Sequence, residues 1–370
     1  MTVNAPVNDS VNDSVNDSVH VLAAGRLRDL AHDLLTAAGV PDDTAVTVAD
    51  SLVEADLAGH GSHGVRRIKP YLDRIAEGAI VPGARPEVVS RRGASAVVSG
   101  RRGFGQAAAR LAAAEAAALA GAHGVGVVAV RECNHVGRLG EYAQTLAGQG
   151  LIAQVVGNAD PTVAPYGGRS RMLGTNPMAW AVPRAGGAAV VMDWATAAMA
   201  EGKLGLLRSA GAPAPEGVLV DPEGRPSTDP ADFYRGGALL PFGGHKGYGL
   251  SVLIELVGGL LTGTGTACSP AYDGTFGTVI TAVDIAAFVP LDHYVAEVES
   301  FCEALRASGP GVLVPGEPEA AARAERLRDG IPVPLPVWEE LCGLAARLGV
   351  PTEKISAHDT EYDARPATGR

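Results

Sequence analysis

The sequence has few cysteines, few aromatic residues and no long apolar run, and these shortages exclude several classes of protein. Its four cysteines are far apart and form no CxxC pair, so neither a zinc site nor a disulfide framework is indicated. The most apolar helical stretch, Leu250–Thr262, is interrupted by Glu255 and is too short to span a bilayer. The N-terminus does not resemble a signal peptide. We therefore expect a cytoplasmic protein without a membrane segment.

Basic charge is not in excess either. The 370 residues include 30 Lys and Arg against 41 Asp and Glu, which gives a formal net charge of −11. This argues against nucleic-acid binding, because a phosphate backbone is bound by clustered Lys and Arg. With 46% hydrophobic and 19% charged residues, the composition is that of an ordinary folded protein rather than a disordered one.

The chain divides into two tails and a folded part. Three copies of Val-Asn-Asp-Ser within residues 1–18 offer no face that could pack, so we predict a disordered tail there and a second one at 358–370. Between them, helical and strand signals alternate, which predicts a mixed α/β (α+β) fold. Helices are predicted at 22–39, 42–57, 65–76, 105–122, 138–149, 246–261, 292–307, 317–328 and 337–348, and strands at 126–130, 151–156, 177–183, 188–193 and 277–283.

Hydrogen-bonding side chains cluster in the segment 58–71. If a helix begins after Ser62, then His63, Arg67 and Tyr71 recur every four residues on one face, and Ser62 stands at the N-cap position. Such a stripe could bind a carboxylate, with Arg67 forming a bidentate pair. The alternative is a capped surface helix with solvated arginines. No metal site is predicted, because the two histidines of the segment have no third ligand at a suitable spacing.

Two polar residues follow predicted strands. His135 comes after the strand at 126–130 and is a candidate general acid/base, although a purely structural histidine is the alternative. Asp160 follows the strand at 151–156. If the two strands are neighbours, both residues lie at one edge of the sheet, and Asp160 would orient the imidazole of His135. An ordinary Asp-Pro turn is the simpler interpretation of Asp160.

Two glycine-rich segments are candidates for binding phosphate groups. Gly243–Gly249 opens a predicted helix, where free backbone N–H groups together with His245 and Lys246 suit a phosphate or pyrophosphate. Gly103–Ala108 fits the GxGxxG/A pattern after a short strand, which is the form of a Rossmann fingerprint. So short a pattern also arises by chance in a chain with 48 glycines. A Rossmann-type dehydrogenase that uses this segment remains an alternative.

Five stretches of the chain carry a resemblance to a known family. They are Asp56–Tyr71, Asn134–Tyr142, Gly174–Pro183, Asp193–Lys203 and Pro241–Leu250. Together and in this order they resemble the malate/L-lactate dehydrogenase family, which is unrelated to the Rossmann-type lactate and malate dehydrogenases. The family includes ureidoglycolate and sulfolactate dehydrogenases, diketogulonate reductase and piperideine-carboxylate reductase. The resemblance implies a homodimer that uses NAD or NADP and has a non-Rossmann nicotinamide-binding fold.

The resemblance also implies a role for individual residues. His135 matches the family's acid/base histidine and Asp160 its partner carboxylate. The resemblance also implies that Gly103–Ala108 serves to pack a helix and does not bind a dinucleotide. The substrate-side residues are Ser62, His63, Arg67 and Tyr71, with Arg67 holding the substrate carboxylate. The residues that match cofactor contacts are Gly174, Thr175, Asp193, Trp194, Ala195, His245, Lys246, Gly316 and Glu317.

The implied architecture has two parts. A mainly helical domain with the substrate motif would comprise residues 19–124 and 310–357, formed by the N- and C-terminal segments. Residues 125–309 would form the cofactor-binding and dimerisation region. The chain departs from the family at two positions. Ala159 stands where relatives can carry Ser, and Trp194 replaces Met or Phe. These departures leave the choice between NAD and NADP open.

The expected function is hydride transfer between the nicotinamide and the α-carbon of a small 2-hydroxy acid or 2-keto acid. The partner is therefore a small-molecule carboxylate, with neither nucleic acid nor membrane involved. Reduction of a cyclic imine, such as piperideine- or pyrroline-2-carboxylate, is one alternative. A non-catalytic ligand-binding relative is another, although such a protein has no need to keep His135, Asp160 and Arg67 together.

Overall fold

A computed structural model of the chain describes residues 19–187 and 189–351, and the predicted tails lie outside these ranges. Twelve β-strands and eleven α-helices lie within them. The strands are β1 (Val19–Leu22), β2 (Glu87–Arg92), β3 (Ser95–Ser99), β4 (Val125–Cys133), β5 (Leu151–Gly157), β6 (Pro177–Val182), β7 (Val190–Ala195), β8 (Leu219–Val220), β9 (Pro226–Ser227), β10 (Ala238–Leu239), β11 (Phe276–Asp284) and β12 (Ile331–Pro334). The helices are α1 (Ala24–Ala37), α2 (Asp42–Leu57), α3 (Ile68–Ala76), α4 (Gly105–His123), α5 (Leu139–Ala147), α6 (Glu201–Ser209), α7 (Pro230–Tyr234), α8 (His245–Ile254), α9 (Leu291–Ala307), α10 (Glu317–Asp329) and α11 (Leu335–Leu348).

A seven-stranded sheet forms the centre of the molecule, in the order β2-β3-β4-β11-β5-β6-β7. Its β3–β4 pair is parallel, and the other five neighbouring pairs are antiparallel. The sheet is therefore mixed, which confirms the predicted fold class. It also excludes the Rossmann alternative, because a dinucleotide-binding Rossmann fold is built on a mostly parallel sheet.

The two strands that precede His135 and Asp160 are not neighbours. Strand β11 lies between β4 and β5, with Ile280 opposite Val128 on one side and Val155 on the other. Because β11 runs antiparallel to both, β4 and β5 run in the same direction and their carboxyl ends meet at one edge of the sheet. The expected common edge is therefore present, although a third strand separates the two.

Helices α4 and α5 cover one face of this sheet. Helix α4 is rich in alanine, and Ala108, Ala112 and Ala116 are fully buried. Such small side chains allow the helix backbone to approach the strands closely, as a Cβ added to Gly126 of β4 would lie 2.2 Å from the carbonyl oxygen of Ala116. Close packing of this kind maximises dispersion contacts and leaves no space for larger side chains.

Helix α8 covers the opposite face and continues as a π-helical segment, Glu255–Leu260. Ile254 packs there against Val156 and Val279 of the sheet, whereas Val127 and Trp180 on the same face are only partly buried. The outer side of α8 and the π-helical segment is apolar and exposed. We call this the leucine surface, and it consists of Leu253, Leu256, Leu260 and Leu261.

The N- and C-terminal parts of the described chain form a helical layer together. Helices α1, α2, α3 and α11 share a core that includes Leu34, Leu52, Ile68 and Leu341. Strand β1 pairs with β12 beside this core, and α10 packs on α2. The predicted domain boundary near residue 124 stays a prediction. Strands β2 and β3 and helix α4, which precede that boundary, pack with the large sheet.

The sequence did not predict the small sheet β10-β8-β9 or helices α6 and α7 beside it. Strands of two residues are too short to produce a detectable alternation of polar and apolar side chains. In the described part of the chain, no helix combines the length and apolarity needed to cross a membrane.

We expect Gly277→Ala to destabilise the protein by about 1–3 kcal/mol, the usual cost of overpacking. A Cβ at this position of β11 would lie 1.8 Å from the carbonyl oxygen of Gly258 in the π-helical segment. Gly343→Ala is the matched control, because a Cβ there has nothing within 4 Å in α11. Alanine should stabilise that helix by roughly 0.5–1 kcal/mol. Urea unfolding measures both changes, and equal effects would contradict the prediction.

Candidate active site

Two 3₁₀ turns, Gly61–His63 and Val65–Arg67, precede helix α3, so the helix predicted from residue 65 begins three residues later. The buried carboxylate of Asp56 accounts for the break. Its Oδ2 accepts a hydrogen bond from the N–H of Val65 at 2.8 Å, and a Cβ on Gly64 would lie only 1.7 Å from its Oδ1. Burial raises the pKa of Asp56 to about 7.

His63 and Tyr71 therefore do not share one regular helix, yet both contact His135. The rings of His63 and His135 are stacked, with centroids 5.4 Å apart. The hydroxyl of Tyr71 lies 2.8 Å from Nδ1 of His135. Phe276, at the start of β11, packs its edge on the same imidazole with a centroid distance of 6.3 Å. The predicted acid/base and two predicted substrate-side residues thus form one cluster of rings.

Ser62 and Arg67 lie beside this cluster. The hydroxyl of Ser62 is 2.9 Å from Nδ1 of His63, and no side-chain cap is formed at either 3₁₀ turn or at α3. The N-cap expected from Ser62 is therefore not formed. Nε of Arg67 donates to the carbonyl oxygen of Ser62 at 2.7 Å, which fixes the guanidinium next to the two histidines.

The cluster keeps both imidazoles in their neutral form. Burial lowers the pKa of His63 to about 3, and the positive charge of Arg67 acts in the same direction. Burial, with Arg67 and His63 as further causes, holds the pKa of His135 well below its usual range. Burial raises the pKa of Tyr71 to about 12, so its phenol stays protonated. At neutral pH the site therefore contains neutral imidazoles beside a fixed guanidinium.

Asp160 is not the hydrogen-bond partner of His135. Its exposed carboxylate accepts a hydrogen bond from the hydroxyl of Tyr272 at 3.0 Å, and Tyr71 occupies Nδ1 of His135 instead. The expected pairing is thus not formed, because β11 separates the two strand ends. Burial and the neighbouring charge of Asp160 raise the pKa of Tyr272, so this phenol remains a hydrogen-bond donor.

A groove of about 320 Å³ runs between β7 and the start of α10, and it is lined by Asp193, Trp194, Gly316 and Glu319 among others. Oδ2 of Asp193 accepts a hydrogen bond from the N–H of Gly140 at 2.7 Å, so this carboxylate is anchored to α5. Trp194 is 38% exposed and presents its ring to solvent. Three of the residues predicted to contact the cofactor therefore lie along one groove.

Glu317 does not face this groove freely. Its carboxylate accepts hydrogen bonds from Arg184 and Arg306 and from the N–H of Val314. The hydrogen bond from Arg306 is the main reason that its pKa falls to about 2. Glu317 thus holds the turn before α10 in place, and Gly316 is the member of the predicted pair that lines the groove.

The segment with Gly174 and Thr175 is held by a buried carboxylate. Oε1 of Glu255, in the π-helical segment, accepts hydrogen bonds from the N–H of Gly174 at 3.0 Å and from Nδ2 of Asn176 at 2.9 Å. Its Oε2 accepts from the N–H of Ala267 at 2.9 Å. Every carboxylate oxygen of this buried residue therefore has a partner, which is the usual condition for burying a charge.

Backbone hydrogen bonds connect the predicted cofactor segments to β7 and to the residue that follows it. The N–H of Thr196, next to Ala195, donates to the carbonyl oxygen of Thr175 at 2.9 Å. The N–H of Phe242, just before the glycine-rich turn, donates to the carbonyl oxygen of Thr196 at 2.9 Å. The N–H of Val191 donates to Pro315, beside Gly316, at 3.0 Å. Four segments that are distant in sequence thus meet at one edge strand.

His245 and Lys246 begin helix α8 at this place and are both exposed. The preceding Gly243 and Gly244 have φ values of 56° and 61°, a left-handed backbone that favours glycine. Tyr166 packs its ring against His245 with a centroid distance of 6.2 Å. Two exposed hydrogen-bonding side chains at the N-terminus of a helix, where the helix dipole favours negative charge, form a suitable anion site.

One contact joins the substrate-side segment to the groove. Nε2 of His60 lies 3.6 Å from Oε1 of Glu319, which lines the groove. Over residues 19–187 and 189–351, no group of three or more His, Cys, Asp or Glu side chains is placed to hold a metal ion.

Two contacts of the site were not predicted from the sequence. Tyr272, the partner of Asp160, lies in an irregular loop before β11 that carries no motif. Gln106 is buried, and its Nε2 donates to the hydroxyl of Tyr71 at 2.8 Å. It belongs to the Gly103–Ala108 match, so the sequence contains a signal here, but that match predicts helix packing and not a contact with Tyr71.

The chain is similar to known proteins in both sequence and fold. The family model for malate/L-lactate dehydrogenase matches residues 22–342. The L-sulfolactate dehydrogenase of Methanothermobacter thermautotrophicus is 37% identical over 328 residues, covering 87% of this chain and 95% of that protein. A solved putative malate/lactate dehydrogenase from E. coli has a TM-score of 0.85 and 33% identity, covering 91% and 97% of the two chains. The delta1-piperideine-2-carboxylate reductase of Pseudomonas syringae has a TM-score of 0.81 and 32% identity, covering 88% and 99%.

Proposed function

Because the chain belongs to the malate/L-lactate dehydrogenase family, we propose that it is a nicotinamide-dependent dehydrogenase that interconverts a small 2-hydroxy acid and its 2-keto acid. One observation carries the proposal. A neutral, buried imidazole has a fixed guanidinium beside it, and the segment that carries this guanidinium reaches, through His60 and Glu319, a groove lined by two of the predicted cofactor segments. Such a site can hold a carboxylate and exchange a proton with the neighbouring oxygen.

His135 is the group that exchanges this proton. Its Nδ1 faces Tyr71, so Nε2 is the ring nitrogen left for the substrate. The imidazole takes the proton of the hydroxyl when the hydroxy acid is oxidised and returns it when the keto acid is reduced. Asp160 lies at the same edge of the sheet, and its catalytic part stays a prediction.

Arg67 binds the substrate carboxylate. Its Nε is already committed to Ser62, which orients the planar guanidinium and leaves the two Nη groups to receive a carboxylate. Ser62, His63 and Tyr71 line the same side, where they exclude water and define the position of the substrate oxygen.

The residues along β7 and just after it fit NAD or NADP. When bound, the nicotinamide supplies or accepts the hydride. The helix start with His245 and Lys246 suits the pyrophosphate, because free N–H groups and positive charge favour anions. Asp193, Trp194, Ala195 and Gly316 offer a groove for the rest of the dinucleotide, next to the segment with Gly174 and Thr175.

A test of the proposal begins with binding. Quenching of NADH and NADPH fluorescence measures whether either dinucleotide binds, and a panel of 2-keto acids and cyclic imines then measures turnover. The imines are included because a piperideine-carboxylate reductase is among the structural neighbours. Turnover of a 2-keto acid supports the proposal, turnover of imines alone favours the alternative, and binding without turnover indicates a non-catalytic relative.

The homodimer and the cytoplasmic location are also proposals. The leucine surface is the face that we assign to the second copy, because four exposed leucines at one place are unusual on a monomer and the sheet residues beneath them are only partly covered. The cytoplasm is inferred from cysteine usage.

We expect a solution mass of two 37.6 kDa chains and a shift towards the monomer in Leu256→Glu. A charge on the leucine surface would have to be desolvated in the dimer, which is costly. Light scattering measures the mass. Leu327→Glu, at an exposed leucine of α10, is the control and should leave the mass unchanged. A monomeric parent protein would contradict the assignment.

We expect His135→Ala to lower kcat by about 10²–10⁴, the usual effect of removing a general acid/base, with little change in cofactor affinity. His63→Ala should act mainly on KM, because His63 lies on the substrate side. Steady-state kinetics and dinucleotide titration separate the two effects, with His123→Ala at an exposed position as the control. A loss of kcat confined to the His63 variant would show that the roles are reversed.

We expect Arg67→Lys to raise KM roughly ten- to a hundredfold, because lysine keeps the charge but cannot make the paired hydrogen bonds of a guanidinium. The orienting contact from Nε to Ser62 would be lost as well. The exposed Arg91→Lys is a matched control with unchanged kinetics. If kcat/KM is unaltered in the Arg67 variant, the carboxylate binds elsewhere.

A further inference from the structure

We propose that Gln106 is a positioning residue that acts through Tyr71 to determine which nitrogen of His135 carries the proton. The inference rests on the proposed function, because that function assigns the role of general acid/base to His135. Gln106 is not among the residues that line the groove. Its effect is exerted through two hydrogen bonds.

The chain of contacts is short and enclosed. Gln106 is fully buried in the first turn of α4, and its Nε2 donates to the hydroxyl oxygen of Tyr71 at 2.8 Å. Tyr71 is 3% exposed, and its hydroxyl lies 2.8 Å from Nδ1 of His135. Three side chains from α4, α3 and the end of β4 are thus connected in series.

The position of Gln106 is fixed by its neighbour. A Cβ added to Gly105 would lie 2.2 Å from the carbonyl oxygen of Asn134 and 2.4 Å from that of His135. The start of α4 is therefore in direct contact with the backbone that carries the imidazole. The glycine of this sequence motif permits the contact, and Gln106 follows directly after it.

The single hydroxyl hydrogen of Tyr71 determines the tautomer of His135. The oxygen of Tyr71 accepts the hydrogen bond from Gln106, so its single hydrogen is available to one acceptor. Among the described residues, Nδ1 of His135 is the acceptor in reach, and a buried hydroxyl hydrogen without a partner is costly. Nδ1 is therefore the acceptor, and the neutral ring carries its proton on Nε2.

This tautomer interacts differently with the keto acid and with the hydroxy acid. A keto oxygen only accepts hydrogen bonds, so it is complementary to an N–H at Nε2. The hydroxyl proton of a 2-hydroxy acid finds no lone pair at that nitrogen until the tautomer changes. The arrangement around Gln106 therefore favours binding of the keto acid over the hydroxy acid.

Gln106→Glu tests the assignment, because a carboxylate accepts the hydrogen of Tyr71 instead of donating to its oxygen. Tyr71 must then accept from Nδ1–H of His135, which moves the lone pair to Nε2. We expect KM for the keto acid to rise about tenfold, the effect of one lost hydrogen bond, while KM for the hydroxy acid stays equal or falls. Gln149→Glu, an exposed change of the same kind, should alter neither value.

The spectroscopic signature is direct. Nitrogen-15 NMR of histidine-labelled protein distinguishes protonated from bare ring nitrogens, and the His135→Ala spectrum assigns the signals. The parent protein should show a proton on Nε2, and Gln106→Glu a proton on Nδ1. A proton on Nδ1 in the parent overturns the proposal, even if the glutamate variant does not fold.

The proposed function and the role of Gln106 can be refuted independently of each other. The tautomer is measured without substrate or cofactor, so its result does not depend on turnover. Turnover of keto acids together with Nδ1–H in the parent would refute the role of Gln106 alone. An Nε2–H signal in a protein that turns over no substrate would refute the proposed function and leave the tautomer assignment standing. A rise of both KM values by the same factor in Gln106→Glu would indicate a merely structural role and overturn the inference.

Discussion

One buried amide attaches the end of strand β4 to the helical layer, and the site depends on that attachment. Asn134 is 1% exposed, and its Nδ2 lies within 2.8–3.2 Å of three carbonyl oxygens of the chain before β4. Its Oδ1 accepts a hydrogen bond from Arg74 of α3 at 3.2 Å. Because His135 is the next residue, this amide determines where the imidazole leaves the sheet and how it meets Tyr71 of the same helix.

The attachment also sets the electrostatics of the site. It places His135 under the helical layer, where burial and the charge of Arg67 both lower its pKa. On the proposed function, a substrate carboxylate on Arg67 would compensate that charge and raise the pKa of His135 towards its usual value. Substrate binding and the basicity of the imidazole would thereby be coupled through one guanidinium.

Local patterns were sufficient to predict most elements of the fold, and the predicted site residues His63, Tyr71 and His135 lie in contact with one another. The helices predicted over 105–122 and 317–328 correspond to α4 and α10, which each end one residue later. The contacts between elements were not predictable in the same way. Nothing local to β4 or β5 indicates that β11, more than 100 residues later, inserts between them and separates Asp160 from His135.

The same distinction explains the late start of helix α3 near Asp56 and the unpredicted contact of Gln106. A carboxylate that accepts from the N–H of Val65 interrupts the helix expected there, and the periodicity of the side chains does not reveal it. Gln106 belongs to a segment that also fits a dinucleotide fingerprint. The structure explains this match, because α4 connects the two parallel strands β3 and β4. The motif does open a helix after a strand, but that helix faces the imidazole rather than a pyrophosphate.

Helix α10 connects the two halves of the site. Its side chains reach α2 through Arg323 and Glu54, with Nε and Oε2 2.9 Å apart, and through a hydrogen bond from Arg326 to the carbonyl oxygen of Asp56. Its first turn lines the groove at β7, and Glu319 in that turn lies beside His60. A displacement of α10 would therefore change the groove and the substrate-side segment together. The C-terminal part of the chain thus lines the groove and contacts the segment 58–71, although it contains neither His135 nor Arg67.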